Sequence, residues 1–166
     1  MTWSRPTGDS VSAKAEEPPR DLQAALAKAA DLLARRDHFR AELARKLTQR
    51  GFPDEVVGSA LDRLAELGYL DDAAAARRWA AGAVERKGFG PRRLLAELTR
   101  RGVAAEDARG AVAEAFPKGE RAAARRAAAR CPRPDDRAAV ARHLERKGFS
   151  SGVIIEILEG LGSEGT

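Results

Sequence analysis

The feature that most restricts this chain is a turn that occurs three times: one or two basic residues, a glycine, then an apolar residue. It reads Arg50-Gly51-Phe52, Arg100-Arg101-Gly102-Val103 and Arg146-Lys147-Gly148-Phe149. Aligned on Gly51, Gly102 and Gly148, other columns fall into register. Leu43, Leu94 and Val140 coincide, and so do Leu47, Leu98 and Leu144. Beyond the glycine, Val57, Ala108 and Ile154 match, followed by Leu61, Val112 and Leu158. Apolar residues four apart share one face of a helix. Self-similarity at a period of roughly 20–50 residues marks an array of supersecondary units.

The intervening stretches fill in three helices per repeat. In the first, Leu22, Leu26, Ala29 and Leu33 keep helical spacing, with Asp21 placed as a cap. Leu43 and Leu47 mark a second helix. Pro53 opens a third, with Val56, Val57, Ala60, Leu61 and Leu64 on one face. Gly68 ends it in a left-handed turn onto which Tyr69 folds back. In the second, Asp71 or Asp72 caps a helix bearing Ala76, Trp79, Ala80, Ala83 and Val84, and Pro91 starts the next. The third keeps mainly the apolar register, ending on Val153, Ile154, Ile157, Leu158 and Leu161, with Ser150 or Ser151 as cap. The expected fold is all-α: three tandem three-helix repeats over 21–68, 69–116 and 117–166, forming an elongated body free to curve. Residues 1–20 carry Pro6, Gly8, Pro18 and Pro19 without apolar periodicity and read as a disordered tail, Trp3 being incidental to it.

Hydrophobic residues make up 43% of the chain, but much of that is alanine and aromatics are only 5%, so thin cores are expected. The single cysteine, Cys131, excludes an intramolecular disulfide and suits a reducing, cytoplasmic setting. No apolar run reaches the roughly 20 residues of a membrane span, and none resembles a secretory leader. A net charge of +5 suits a nucleic acid or an acidic protein face as partner.

No catalytic constellation emerges. His38 and His143 are far apart, no metal-ligand spacing occurs, and Gly88-Phe89-Gly90-Pro91 follows a helix rather than the strand of a phosphate loop. Neither enzyme activity nor a cofactor nor a metal is expected. The basic residues offer the one candidate site. Arg45, Lys46, Arg50, Arg86, Lys87, Arg92, Arg93, Arg100 and Arg101 cluster near helix ends. In a last helical turn, just before a capping glycine, a cation stabilises a helix by roughly 0.3–1 kcal/mol without any partner. Doubled pairs at equivalent places in stacked repeats would also line one edge of the body, a surface for a partner protein or for DNA. His143 shares the column of Lys46 and Glu97 and reads as exposed; Trp79 reads as core.

Three segments resemble the RecX family of recombinase regulators. Arg36-Asp37-His38-Phe39-Arg40-Ala41-Glu42-Leu43-Ala44-Arg45-Lys46-Leu47 with Arg50-Gly51-Phe52 is similar to its first-repeat motif. Leu67-Gly68-Tyr69-Leu70-Asp71-Asp72 resembles its central signature, and Lys87-Gly88-Phe89-Gly90-Pro91-Arg92-Arg93 with Glu97-Leu98 and Arg101-Gly102-Val103 its second repeat. The resemblance runs from about Leu26 to Leu161 and is loose after Phe116. The chain departs from it where a capping serine would stand at Phe39, leaving Asp37 as the expected cap. It departs again where a phenylalanine would stand near Ala75, with Trp79 as the expected compensation. The resemblance implies binding to the RecA recombinase filament on single-stranded DNA and restraint of strand exchange, ATP hydrolysis and coprotease activity. A monomer is expected, with its functional edge on the first two repeats and the third extending its reach. The alternative is a sequence-independent DNA-binding helical repeat protein whose helix–glycine turn–helix pairs touch phosphates directly.

Overall fold

A computed structural model describes residues 20–163, with side chains described over 21–161. The helices are α1 (Arg20–Arg35), α2 (Arg40–Thr48), α3 (Asp54–Glu66), α4 (Asp72–Lys87), α5 (Pro91–Arg100), α6 (Ala105–Ala115), α7 (Arg121–Ala129), α8 (Arg137–Lys147) and α9 (Ser151–Ser163). No strand occurs among the described residues. The expected tail, with Trp3, lies outside them save for Arg20, which opens α1. Asp21 therefore sits inside the first turn of α1 and does not precede it as a cap.

Helices pack chiefly within triplets: α1 with α2 and α3, α4 with α5 and α6, α7 with α8 and α9. The first core joins Ala29, Leu32, Leu43, Leu47, Val57, Leu61, Leu64 and Leu70. On α1 the buried line is Ala25, Ala29 and Leu32; Leu22, Leu26 and Leu33 flank it, since a 3.6-residue turn drifts away from a strict four-residue spacing. At the end of α3 the residue that folds inward is Leu70. Tyr69 closes the turn only through its amide, which donates to the Leu64 carbonyl at 2.9 Å, while its ring stays 69% exposed. The second core is built on the alanines of α4 with Phe89, Leu94, Leu98, Val103, Ala108 and Ala111. The third gathers Ala124, Ala127, Val140, Leu144, Phe149 and Ile157 around Cys131. Small residues let these helices approach closely, so the triplets close without large aromatic layers.

Two junctions link the triplets. At the first, Phe39 leaves its own core and inserts into the second. The amide of Arg40 donates to the Asp72 carboxylate at 2.8 Å, so α2 is capped from the next triplet. Asp37 is not the cap; it accepts from the Arg78 guanidinium at 2.7 and 3.0 Å instead. The adjacent Asp71 caps α4 through the Ala74 amide at 2.8 Å. Phe39 and Ala75 belong to one buried cluster, so the aromatic bulk missing at Ala75 enters from the preceding triplet. Trp79, expected as the substitute, is only half-buried at the cluster's edge.

The second junction joins main chain to main chain, with Arg93, Arg130 and Lys147 adding side-chain bonds to carbonyls across it. The Gly90 amide donates to the Lys147 carbonyl at 2.8 Å and the Arg92 amide to the Gly148 carbonyl at 3.1 Å. A Cβ on Gly90 would fall 2.7 Å from the Gly148 carbonyl, and one on Gly148 would fall 2.4 Å from the Arg93 nitrogen. Gly148 also has φ +86°, a region that L side chains rarely enter. Both demands require glycine there, because two turns lie against each other with no room for a side chain.

Candidate functional site

Most of the candidate cations occupy the carboxyl ends of helices, which present unpaired carbonyls and a partial negative charge, whereas Arg92 and Arg93 lie in the first turn of α5 and gain nothing from its dipole. Folding then sorts them. Lys46 is drawn inward: its ammonium lies 3.2 Å from the Glu42 carboxylate and 2.9 Å from His38 Nε2. Arg50 donates to the Lys46 carbonyl at 2.9 Å, finishing its own helix. These two do not join the others.

The remaining seven form a run across the junctions. Arg45, Arg100 and Arg101 border one depression between α2 and the end of α5, where Gly102 passes beneath Ala41. Arg100 is paired with Glu97 at 2.7 Å. The Arg101 guanidinium lies 4.6 Å from the centre of the Trp79 ring, and Lys87 lies 5.9 Å from the same ring. Lys87 also lies 5.6 Å from the Phe89 ring, whose other neighbours are Arg93 at 4.4 Å and Lys147 at 5.9 Å. Arg92 and Arg93 border a further depression with Arg146. Two aromatic rings thus carry a chain of cations from the second triplet to the third, and the depression beside Arg101 adds Arg45 of the first. Cation–ring contacts are worth roughly 0.5–1 kcal/mol each at exposed sites, so they align these side chains without neutralising them. Among the described residues, no carboxylate lies within 4.0 Å of Arg45, Arg86, Lys87, Arg92, Arg93 or Arg101. By contrast, Arg36, Arg40, Arg63, Arg77 and Arg78 are all paired.

The three turn glycines all adopt positive φ, +86° at Gly51, +82° at Gly102 and +86° at Gly148. They place the basic residues but offer no ligand group themselves. Sequence columns missed two members of the cationic face. Arg130 follows α7, outside any repeated turn, and reaches the Glu85 carbonyl at 2.7 Å. His143 is half-buried and not exposed, and its Nε2 is shielded with no hydrogen-bond partner. The signal that could have found it is its place one turn before Lys147, which faces the second triplet.

Behind this face, at the first junction, lies a buried polar group. His38 Nδ1 meets the Arg36 carbonyl at 3.0 Å. Burial pushes the His38 imidazole below its ordinary value, and the nearby Arg36 and Lys46 charges add to that. Burial pushes Glu42 up, but hydrogen bonds from Arg36 and Lys46 outweigh it and bring the carboxyl to about 2. Among the described residues no group of three His, Cys, Asp or Glu side chains could hold a metal ion. Among the described residues no helix is long and apolar enough to cross a membrane.

Comparison with known proteins places this geometry. The model of the RecX first three-helix domain matches residues 25–64, and that of the RecX second three-helix domain matches residues 71–112. The regulatory protein RecX of Ectopseudomonas mendocina is 41% identical over 137 residues, covering 80% of this chain and 91% of that protein. That of Pseudomonas entomophila is 41% identical over 140 residues, covering 80% and 88%. The crystal structure of RecX from Lactobacillus salivarius superposes with a TM-score of 0.76 at 18% identity, over 86% of this chain and 97% of that one, and so shares the fold. A crystal structure of a regulatory protein RecX gives 0.73 at 23% identity, over 84% and 72%. With the first two of its three helical triplets matched by family models and curated relatives matched over most of their length, the chain belongs to the RecX family.

Proposed function

We propose that this protein regulates a RecA recombinase by lying along its filament on single-stranded DNA, and that it mainly inhibits recombination, ATP hydrolysis and coprotease activity. The observation that carries this reading is the unneutralised cationic run over Trp79 and Phe89, which joins the second triplet to the third and is continued by Arg45 of the first beside Arg101. An array whose charges are distributed over linked modules engages a repeating partner at several points. Weak contacts then add up through effective concentration. The protein works as a monomer in the cytoplasm, where RecA filaments form; its lone cysteine and lack of a membrane-crossing helix fit that setting. No catalysis is assigned to it.

The test is a titration of the chain into recombinase turning over ATP on single-stranded DNA. Inhibition at or below equal amounts is expected; no effect refutes the reading. Reversing Arg92, Arg93, Arg100 and Arg101 to glutamate should weaken inhibition, and unchanged inhibition by the folded variant would remove the cationic face from the mechanism. A second reading, sequence-independent DNA binding, is favoured by the same lack of carboxylate partners. It predicts tight binding to DNA without recombinase, falling steeply between two salt concentrations.

A further inference from the structure

The second junction holds an open depression of about 330 Å³ bordered by Arg86, Lys87, Arg130, His143 and Lys147, within the roughly 300–1,000 Å³ range of small-ligand sites. Three helices end there: α4 at Lys87, α7 just before Arg130, and α8 at Lys147. Lys147 donates to the Lys87 carbonyl at 2.7 Å and Arg130 to the Glu85 carbonyl at 2.7 Å. These bonds fix two cations across the junction without supplying a counter-charge.

Helix ends explain some of this charge but not all of it. Each carboxyl end contributes about −0.5 of an elementary charge. Three of them offset less than half of the four formal charges on Arg86, Lys87, Arg130 and Lys147. Among the described residues no carboxylate within 4.0 Å offsets the rest. The excess has a visible cost. Burial, then Arg93, Arg130 and Arg146, pushes the Lys147 ammonium below its ordinary value. Burial, then Lys147 and Arg146, does the same to His143. His143 Nε2 is at the same time left without a hydrogen-bond partner. A buried polar atom left unpaired costs roughly 1–3 kcal/mol.

We propose that this cavity binds a doubly charged phosphate group, a free or terminal phosphate or a diphosphate, and that the bound anion locks the second and third triplets together. A dianion matches the residual positive charge; a carboxylate or an internal phosphodiester carries half as much. The Arg130 fork and the Lys87 and Lys147 ammoniums come from three helix ends and suit a tetrahedral anion, which accepts from several directions, while the Arg86 guanidinium lies back over Gly82. The anion also supplies the counter-charge that His143 lacks, so the imidazole takes up a proton on binding. The groups facing His143 are Arg146 and Lys147 on its own helix, Arg86 and Lys87 at the end of α4, and Arg130 after α7. Of these, Lys147 and Arg146 add to burial in opposing protonation of the empty site. This site is independent of the filament reading, since it is tested on the chain alone.

The experiment is calorimetric titration of the full chain with pyrophosphate, alongside amide exchange. Saturable binding is expected, with several-fold slower exchange of the Gly90 and Arg92 amides, which bond across the junction. Arg86 makes no hydrogen bond, ion pair or ring contact among the described residues, so R86Q should weaken binding without unfolding the chain. The pair R86Q/K87Q should lower affinity roughly tenfold or more, while R45Q at the other junction should leave it unchanged. H143Q should flatten the difference in affinity between about pH 6 and about pH 8, beyond the phosphate's own titration near about 6. Two further arms identify the source. A nucleoside triphosphate that outcompetes pyrophosphate assigns the site to nucleotides, and equal competition assigns it to the free anion. The proposal is overturned by the lack of saturable binding, by equal losses in R45Q and R86Q/K87Q, or by an oligonucleotide lacking terminal phosphates that displaces pyrophosphate.

Discussion

Arg101 holds its guanidinium over Trp79, 4.6 Å from the ring centre, while its own Nε is buried without a hydrogen-bond partner. The ring contact therefore stands in for a hydrogen bond. Arg101→Lys keeps the charge but loses the planar stack, and should cost about 0.5–1 kcal/mol in urea unfolding. With Trp3 replaced by Phe so that Trp79 alone reports, its emission should shift to the red in R101K. Unshifted emission would show that the ring is not covered by this residue.

Phe39 and Ala75 form an exchanged pair across the first junction. Phe39→Ser would place a capping hydroxyl before α2, worth about 1 kcal/mol. It would also remove an aromatic from the second core, worth roughly 3 kcal/mol. The net loss should be about 2 kcal/mol. Ala75→Phe alone overpacks the same cluster at a cost of about 1–3 kcal/mol. Together the two should be less destabilising than their sum, with a coupling of at least about 1 kcal/mol by double-mutant cycle. Additive losses would show that the two positions do not share space.

Gly51 and Gly148 have the same φ, +86°, but only Gly148 is crowded; nothing lies within 4 Å of a Cβ at Gly51. Gly51→Ala should cost about 1 kcal/mol of backbone strain and no more. Gly148→Ala should cost clearly more and speed exchange of the Arg92 amide, because the added methyl pushes the two turns apart. Equal costs would mean that the close approach carries no energy.

Acid should weaken the fold in two stages. His38 and His143 are held below the ordinary imidazole value, so the unfolded chain binds protons first as the pH falls through about 6.5. Stability from this source is complete above that pH and declines below it. Glu42, lowered from 4.5 to about 2, contributes above 4.5 and is lost as the pH falls toward 2. Asp72, pushed up mainly by burial, opposes the second stage in part. Urea unfolding across this range should show both declines, and Glu42→Gln should flatten the lower one by at most about 3 kcal/mol.

The register of Leu43, Leu94 and Val140 could be read directly, because helical burial repeats every turn and leaves its mark in any single chain. The αL glycines were legible for the same reason: a local backbone demand has a local residue. What crosses between triplets left no such mark. Asp72 reads as a cap for its own helix and instead caps α2, and Phe39 reads as a missing serine and instead fills a neighbouring core. Both depend on which triplet lies alongside, which periodicity does not encode. The cationic face was half legible. Helix-end rules located Arg86, Lys87, Arg92 and Arg93, but Arg130 and His143 reach them only through the main-chain junction. Lys46 belongs to the face by sequence position and is removed from it by Glu42.

That junction also bears on how such a chain can change over time. Where two turns are joined by peptide amides and carbonyls, those bonds can be reached by substitution only at their glycines, although Arg93, Arg130 and Lys147 add side-chain bonds across the same junction. The angle between the second and third triplets is therefore partly insulated from drift in the residues around it. The outer faces of α7, α8 and α9 are free to diverge while the third module keeps its bearing, like a link whose pin is cast into the metal rather than inserted afterwards.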